Sequence, residues 1–285
     1  MPGNTGRGRG GDMQDLGRSP AASAEIANRF VAARRAAVAL DSFPGPLPAS
    51  LDAAYAVQDE AIRQWGAPVV GWKVAIIHPD LRPAYGGAER LVGPVFAGTL
   101  VEARGETVAA PVIEGGFAAI EAEFAVRLGA DLPAREAPYG LDEVTRAVDD
   151  LLLAVEVASN PLAAINDLGP AAIISGFGNN AGIIVGPQVK GWRDAPLDAL
   201  ATRVVVDGAT VGEGSAAKVP GGPLGALVFA ANCLSARGLG LRAGDIVSTG
   251  ASTGIHPVRP GMGAIVSCGA AGDIRLSVTR AVGEG

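Results

Sequence analysis

Three glutamates standing inside apolar, strand-like runs constrain this chain more than any other feature. Glu121 and Glu123 lie in AAIEAEFAVRL (118–128), and Glu156 lies in LLAVEVAS (152–159). Successive side chains of a strand alternate between faces, so Glu121 and Glu123 project to the same side, about 7 Å apart. Their neighbours Ile120, Ala122 and Phe124 are apolar, which makes the strand at least half buried. Carboxylates so placed repel one another and are costly to take out of water. Two readings satisfy them. In one, Glu121 and Glu123 face solvent and Glu156 is buried against an arginine. In the other, a cation neutralises all three, and a hard divalent ion, Mg2+ or Mn2+, suits an all-carboxylate set.

Composition narrows what could hold such an ion. The chain of 285 residues has only two cysteines, Cys233 and Cys268, and two histidines, His78 and His256. Neither a thiolate nor a multi-histidine metal site can be built from these, nor a disulfide framework. A reducing, cytoplasmic location is therefore expected. The net charge of -6, with no basic run, argues against a nucleic-acid partner. The uncharged stretch between Asp167 and Lys190 is broken by Pro170, Pro187, five glycines and Asn179-Asn180. That rules against a membrane span and suggests two buried strands around a glycine-rich turn. Residues 1–20 have no apolar stretch and read as a disordered tail, not a signal peptide.

The length suits one large domain with a small helical annex. Residues 21–68 form the annex. Ile26, Phe30, Ala33 and Ala37 share a helical face over 21–40, with Arg34 and Arg35 outside it. A second helix is capped by Ser50, runs through Trp65 and stops at Gly66. Residues 69–285 read as an α+β domain on a mixed, strongly curved sheet. Its strands are expected at 69–77, 94–103, 118–128, 152–159, 244–250, 263–269 and 273–279, with a hairpin over 202–214 turning at Asp207-Gly208. Helices are expected over 141–152 and 223–237. No GxGxxG opens a helix after a first strand, which argues against a dinucleotide fold.

Lys73 is the next unusual residue. The chain has three lysines against twenty arginines, and Lys73 sits within the apolar run GWKVAII. A compact ammonium there can hold a substrate carboxylate or shuttle a proton. It can equally be a strand-end lysine snorkelling to water. GASTGIHPV (250–258) offers the hydroxyls of Ser252 and Thr253 together with free backbone N–H groups, which suits an oxyanion or, equally, a polar turn. GFGNNAG (176–182) is a second Gly/Asn turn. No Ser-His-Asp arrangement is visible.

Taken in order, GWKV, IEAEFAVRL, AVEVAS and GLRAGDIVSTGAST resemble the 2-keto-4-pentenoate hydratase family, which includes the 4-oxalocrotonate decarboxylases and belongs to the fumarylacetoacetate hydrolase superfamily. The resemblance runs from about Leu51 to Val278. It implies a mixed β-roll of the fumarylacetoacetase C-terminal kind, with an N-terminal helical segment. It places the family's metal-binding acids on Glu121, Glu123 and Glu156, its active-site lysine on Lys73, and its substrate loop on Thr249 to Thr253, including Ser252. It further implies a Mg2+- or Mn2+-dependent lyase of aromatic catabolism, assembled as a homo-oligomer. Such an enzyme hydrates a small 2-hydroxy-dienoic or 2-oxo-enoic acid through a metal-chelated enolate. Decarboxylation of a 2-oxo acid is the alternative. C–C hydrolysis of an acylpyruvate with His78, or a non-catalytic relative, stand behind it. Three departures bear on the reaction. Ser175-Gly176-Phe177 stands where the family usually has Ala-Asp-Asn, and Ala158-Ser159-Asn160 where it has Asp-Ser-Arg. Leu91-Val92 replaces an acid, with Glu89 close by.

A chain beginning at Ala21 is expected to melt within a few degrees of the full-length protein, because a tail without apolar periodicity contributes little burial. A large drop in a thermal melt would show that residues 1–20 pack.

Overall fold

The structure, a computed structural model, describes residues 20–283; the expected N-terminal tail lies almost wholly outside the described residues. The first helix, α1 (Pro20–Arg35), buries Ile26, Ala27, Phe30, Val31 and Ala33. It ends five residues before the sequence pattern suggested, because Ala37 adopts a left-handed backbone (φ 52°) and Leu40 instead bridges to Leu162. Helix α2 (Leu51–Trp65) has the expected ends. The Ser50 side chain accepts a hydrogen bond from the Ala53 N–H, and Gly66 at φ 73° supplies the left-handed exit that other residues resist.

The strands follow. β1 (Val69–Ile76), β2 (Arg90–Phe96), β3 (Leu100–Glu102), β4 (Thr107–Val112) and β5 (Phe117–Leu128) precede a short helix, α3 (Leu141–Ala147). Then come β6 (Val148–Asn160), helix α4 (Pro170–Ser175), β7 (Asn180–Gln188), the hairpin β8 (Ala201–Val206) and β9 (Ala209–Ser215), and helix α5 (Gly222–Ala236). β10 (Ile246–Ala251), β11 (His256–Pro257), β12 (Gly263–Cys268) and β13 (Gly272–Arg280) close the chain. One sheet has the order β2-β1-β10-β5-β6-β7-β3, with β11 paired to β5; the other has the order β4-β13-β12-β8-β9. The pairs β1/β10, β3/β7 and β4/β13 are parallel and the others antiparallel, so both sheets are mixed. Phe124, Leu153 and Val155 of the first sheet share one apolar core with Val204, Val266 and Ile274 of the second and Leu227 of α5. A second cluster joins Phe30 of α1 and Val57 of α2 to Phe96 and Phe177.

Three further expected elements differ. The run 94–103 is not one strand: β2 ends at Phe96, a 3-10 turn spans Ala97–Thr99, and β3 takes up only Leu100–Glu102. The helix over 141–152 stops at Ala147, and Val148 to Leu151 begin β6. β6 lies between β5 and β7 with both faces covered, so its apolar residues run without interruption. Such a run matches a helical face as readily as a buried strand. The stretch 167–190 holds one strand, not two. Pro170 opens α4 after Gly169 at φ 83°, as proline does in a first helical turn. The hairpin turn is as expected, with Asp207 and Gly208 at φ 46° and 82°, the signature of a type I′ turn. Among the described residues no helix is long and apolar enough to cross a membrane.

Gln58 on α2 ties the layers together. It is fully buried, and its Nε2 donates to the carbonyls of Val92 and Ile174 at 3.0 Å each. Its Oε1 accepts from Arg237 at 3.2 Å. Gln58→Leu takes a donor from two carbonyls and an acceptor from Arg237, which keeps Asp59, and is expected to destabilise the fold by about 2–4 kcal/mol. Chemical denaturation monitored by circular dichroism checks this; a midpoint equal to that of the parent would contradict it.

Candidate metal and substrate site

β5 and β6 pair so that Glu121 faces Glu156 directly, with Glu123 opposite Ala154 two positions on. Strand alternation therefore gathers three carboxylates on one face of the central hairpin. One oxygen from each lies within 4.8 Å of the others. Glu123 and Glu156 have no exposed surface, and Glu121 has 8%. The solvent-facing reading of Glu121 and Glu123 is thus overturned. So is the arginine partner for Glu156. The cation there is Lys73 from β1, whose Nζ lies 3.1 Å from Glu156 Oε2. Lys73 is itself 4% exposed and does not snorkel.

The charges do not balance. One ammonium faces three carboxylates, and the acceptors are under-used. Glu123 Oε2 accepts from the Ser248 hydroxyl and, at 2.9 Å, from the Gly250 N–H. Glu123 Oε1 has no donor. The Lys73 ammonium approaches Glu156 off the line of a directed hydrogen bond, so both Glu156 oxygens also lack one. Burial, and after it the charge of Glu156, pushes Glu121 up to about 8. The same two causes, with Glu121 added, hold Glu123 well above the usual carboxylate range. Burial also raises Glu156, against the pull of Lys73. At Lys73 burial disfavours the ammonium, but Glu156 and then Glu121 and Glu123 outweigh it and hold its pKa above the ordinary value. A buried cluster in which Glu123 Oε1 and both Glu156 oxygens lack donors fits a hard divalent cation, which takes oxygen ligands and retains positions for others.

β10 itself meets the cluster at Ser248 and Gly250; Gly250 opens the segment the sequence singled out, whereas Ser248 was not singled out. The hydroxyls that the sequence did single out are bonded within the protein. Thr249 donates to the Phe124 carbonyl at 2.7 Å, and Ser252 to the Ala122 carbonyl at 2.7 Å, with Thr202 also 2.7 Å away. Thr253 Oγ1 lies 2.9 Å from His256 Nε2. His78 does not join the cluster. It is exposed, and its ring accepts from the Asp80 N–H at 3.4 Å.

The Gly/Asn turn expected within 176–182 lies close to the Lys73 stem. Phe177, Gly178 and Asn179 are consecutive left-handed residues, at φ 62°, 69° and 64°. Holding Phe and Asn there costs on the order of 1–3 kcal/mol each. The reward is close approach. A Cβ on Gly178 would fall 2.8 Å from Gly93 Cα and 3.3 Å from Lys73 Cδ, and one on Gly93 would fall 2.4 Å from the Phe177 carbonyl oxygen. Asn179, the last residue of this turn, is buried, its Nδ2 donating to Asn166 at 3.3 Å while its Oδ1 has no hydrogen-bond partner.

The family model for the fumarylacetoacetate hydrolase C-terminal region matches residues 95–279. A 2-keto-4-pentenoate hydratase 2 of Dechloromonas aromatica is 29% identical over 216 residues, spanning 75% of this chain and 80% of that protein. A 2-keto-4-pentenoate hydratase of Burkholderia vietnamiensis is 28% identical over 201 residues, 70% and 74% of the two chains. In structure, the chain is similar to the 4-oxalocrotonate decarboxylase of Pseudomonas putida complexed with magnesium and adipate. The TM-score is 0.76 at 22% identity, covering 91% of this chain and 98% of that one. It is less similar to the fumarylpyruvate hydrolase of Pseudomonas aeruginosa in complex with Mn2+ and pyruvate, with a TM-score of 0.53 at 17% identity over 75% and 91% of the chains. At these identities the structural likeness speaks to the fold.

The raised carboxyl groups set a pH dependence. A carboxyl whose folded pKa exceeds its unfolded value binds its proton more tightly when native, so stability falls as pH rises between the two. With Glu121 moving from 4.5 to about 8, the metal-free protein is expected to lose melting temperature steadily across that interval. Millimolar Mg2+ or Mn2+ should restore it, more at the upper end than the lower, because ion and proton compete. Glu123→Gln should flatten the pH slope and abolish most of the metal response. Thermal melts across pH, with and without metal, test this; full metal stabilisation of Glu123→Gln would sink the assignment.

Proposed function

The chain belongs to the fumarylacetoacetate hydrolase C-terminal family, and from that premise we propose that it is a metal-dependent hydro-lyase of the 2-keto-4-pentenoate hydratase kind. Its substrate is a small 2-hydroxy-dienoic or 2-oxo-enoic acid. The observation that carries this reading is the buried cluster of Glu121, Glu123 and Glu156 facing one ammonium, Lys73. The relatives named as hydratases, which align with about three quarters of the chain, support the reaction type. Glu121, Glu123 and Glu156 would hold Mg2+ or Mn2+. A bound ion of this kind supplies Lewis acidity toward the oxygens of a 2-oxo acid.

The chain's own residues do the rest. Gly250 N–H and the Ser248 hydroxyl fix the Glu123 carboxylate, leaving Oε1 directed elsewhere. Lys73 pairs with the substrate carboxylate, or passes a proton to and from the carbon chain. Once the charge of the carboxylates is neutralised, their hold on its proton weakens, and the amine can both give and take. The apolar walls exclude bulk water and strengthen each of these interactions. Thr249, Ser252 and Thr253 shape the loop that closes over the substrate, with their hydroxyls bonded inward.

Decarboxylation of a related 2-oxo acid is the second reading, since the same cluster and lysine serve an enolate formed as CO2 leaves. Hydrolysis through His78 is disfavoured by that residue's exposed position beside Asp80. We place the protein in the cytoplasm, consistent with two free cysteines, and as a homo-oligomer. Incubating the metal-loaded protein with 2-hydroxypenta-2,4-dienoate and with 4-oxalocrotonate, and reading products by mass, separates gain of water from loss of carbon dioxide. Absence of both would end the lyase reading.

Lys73→Met should keep the fold and metal binding. Loss of a charge-assisted hydrogen bond in a water-poor site costs about 2–4 kcal/mol, or about 30- to 1,000-fold in kcat/KM. Lys73→Arg is not expected to rescue activity. The guanidinium is bulkier beside Gly178 and does not give up its proton. Steady-state kinetics within threefold of the parent for Lys73→Met would end the catalytic role of this residue.

A further inference from the structure

Arg34 lies on the last turn of α1, in a segment the proposed chemistry does not use. Its guanidinium nonetheless reaches the left-handed turn that carries Gly178. Nη2 donates to the Gly176 carbonyl at 2.8 Å and to the Ser159 carbonyl at 3.1 Å, and Nη1 donates to the Asn180 carbonyl at 3.0 Å. Gly176 and Asn180 are the residues on either side of Phe177-Gly178-Asn179. The guanidinium carbon also lies 5.2 Å from the centre of the Phe177 ring, in cation–π contact. One planar fork thus grips both ends of the strained segment, its central aromatic residue, and β6 three residues beyond Glu156. The Gly176 carbonyl also accepts from the Asn160 side chain at 3.0 Å and from the Asn179 N–H within the turn at 3.3 Å, but neither reaches the Asn180 carbonyl.

The other side of the turn is the Lys73 stem. The Gly178 and Gly93 backbones are close enough that a Cβ on Gly178 would fall 2.8 Å from Gly93 Cα, and the same Cβ would fall 3.3 Å from Lys73 Cδ, so the lysine stem passes directly over this turn. A relaxed turn would swing Phe177 or Asn179 toward ordinary backbone angles and withdraw the surface on which the lysine lies. We propose that Arg34 is a positioning residue for Lys73, acting from the N-terminal helix through the left-handed turn Phe177-Gly178-Asn179. The proposal rests on the active-site reading of Lys73 given above. Lysine cannot replace Arg34, because a single ammonium lacks the flat, divergent donors that span two carbonyls separated by a turn.

The test uses the full-length protein, with two readouts that need no turnover and one that does. Lysine-selective 13C labelling yields three lysine spin systems, since the chain has only Lys73, Lys190 and Lys218; Lys73→Met assigns the first. Arg34→Gln should shift or broaden the Lys73 side-chain signal while Lys190 and Lys218 stay unchanged. Hydrogen exchange read by mass in peptides covering 176–180 should quicken at least about tenfold, the mark of a local opening. Arg34→Gln and Arg34→Lys should both lower kcat by about 10- to 100-fold, as a small misplacement of a reacting group does, with Mn2+ affinity held within about threefold. In a Lys73→Met background the same Arg34 changes should alter kcat by less than about twofold, because the group they position is gone. Should Arg34→Gln not fold, Arg34→Lys carries the exchange and kinetic readouts. An unmoved Lys73 signal, unchanged exchange, or equal losses of kcat in both backgrounds would each overturn the proposal. A parent protein without turnover on any 2-oxo acid would count against the proposed function instead, and the labelling and exchange results would still decide whether Arg34 holds the turn.

Discussion

The repulsion among three carboxylates in a dry sheet interior is the constraint on which the rest of this structure depends. Glu121, Glu123 and Glu156 cannot all be ionised there against a single ammonium without a large penalty. The chain meets that penalty in part with Lys73, the Ser248 hydroxyl and the Gly250 N–H. What remains is taken up by protons or by an ion. The fold is therefore built around a deficit of positive charge. Replacing the acids with apolar residues of similar size would relieve that deficit.

Geometry makes such a concentration of charge possible. Antiparallel pairing of β5 and β6 sets Glu121 against Glu156, and the two-residue repeat adds Glu123 to the same face. β1 is reached across β10, which brings Lys73 to the cluster from a strand that never pairs with either glutamate strand. Gly93 and Gly178 let two backbones approach closely, so nothing bulky intervenes between the lysine stem and the turn beneath it. Each device is ordinary alone. Together they gather four titratable groups in the buried interior.

Much of this was legible in the sequence where the signal was local. Ser50 and Gly66 marked the ends of α2, and Asp207-Gly208 marked the hairpin, because caps and tight turns act through neighbouring backbone. The three glutamates were conspicuous because acids are rare in apolar runs. Signals that depend on distant partners were not legible. Val148 to Leu151 fit a helical face, and only the neighbours β5 and β7 make them a strand. One of the two readings of Glu156 gave it an arginine partner; the pairing it actually makes, with Lys73, depends on strand order. Arg34 was placed off the apolar face of its helix, yet its long side chain turns inward to three carbonyls. GFGNNAG was legible as a Gly/Asn turn, but the left-handed Phe177 within it was not, because strain of that kind is imposed by packing.

The parallel pairing of β1 with β10 has a consequence for synthesis on the ribosome. Gly71 is registered with Ile246, and Lys73 with Ser248, so a strand made early in translation finds one of its neighbours only near the end. At about 5–20 residues per second, that interval lasts on the order of ten seconds or more. The nascent VVGWKVAI segment must meanwhile shelter against β2 alone, one of its edges open to other chains. A chain of this topology is thus more exposed to chaperones and to aggregation while it is being made than its finished core suggests.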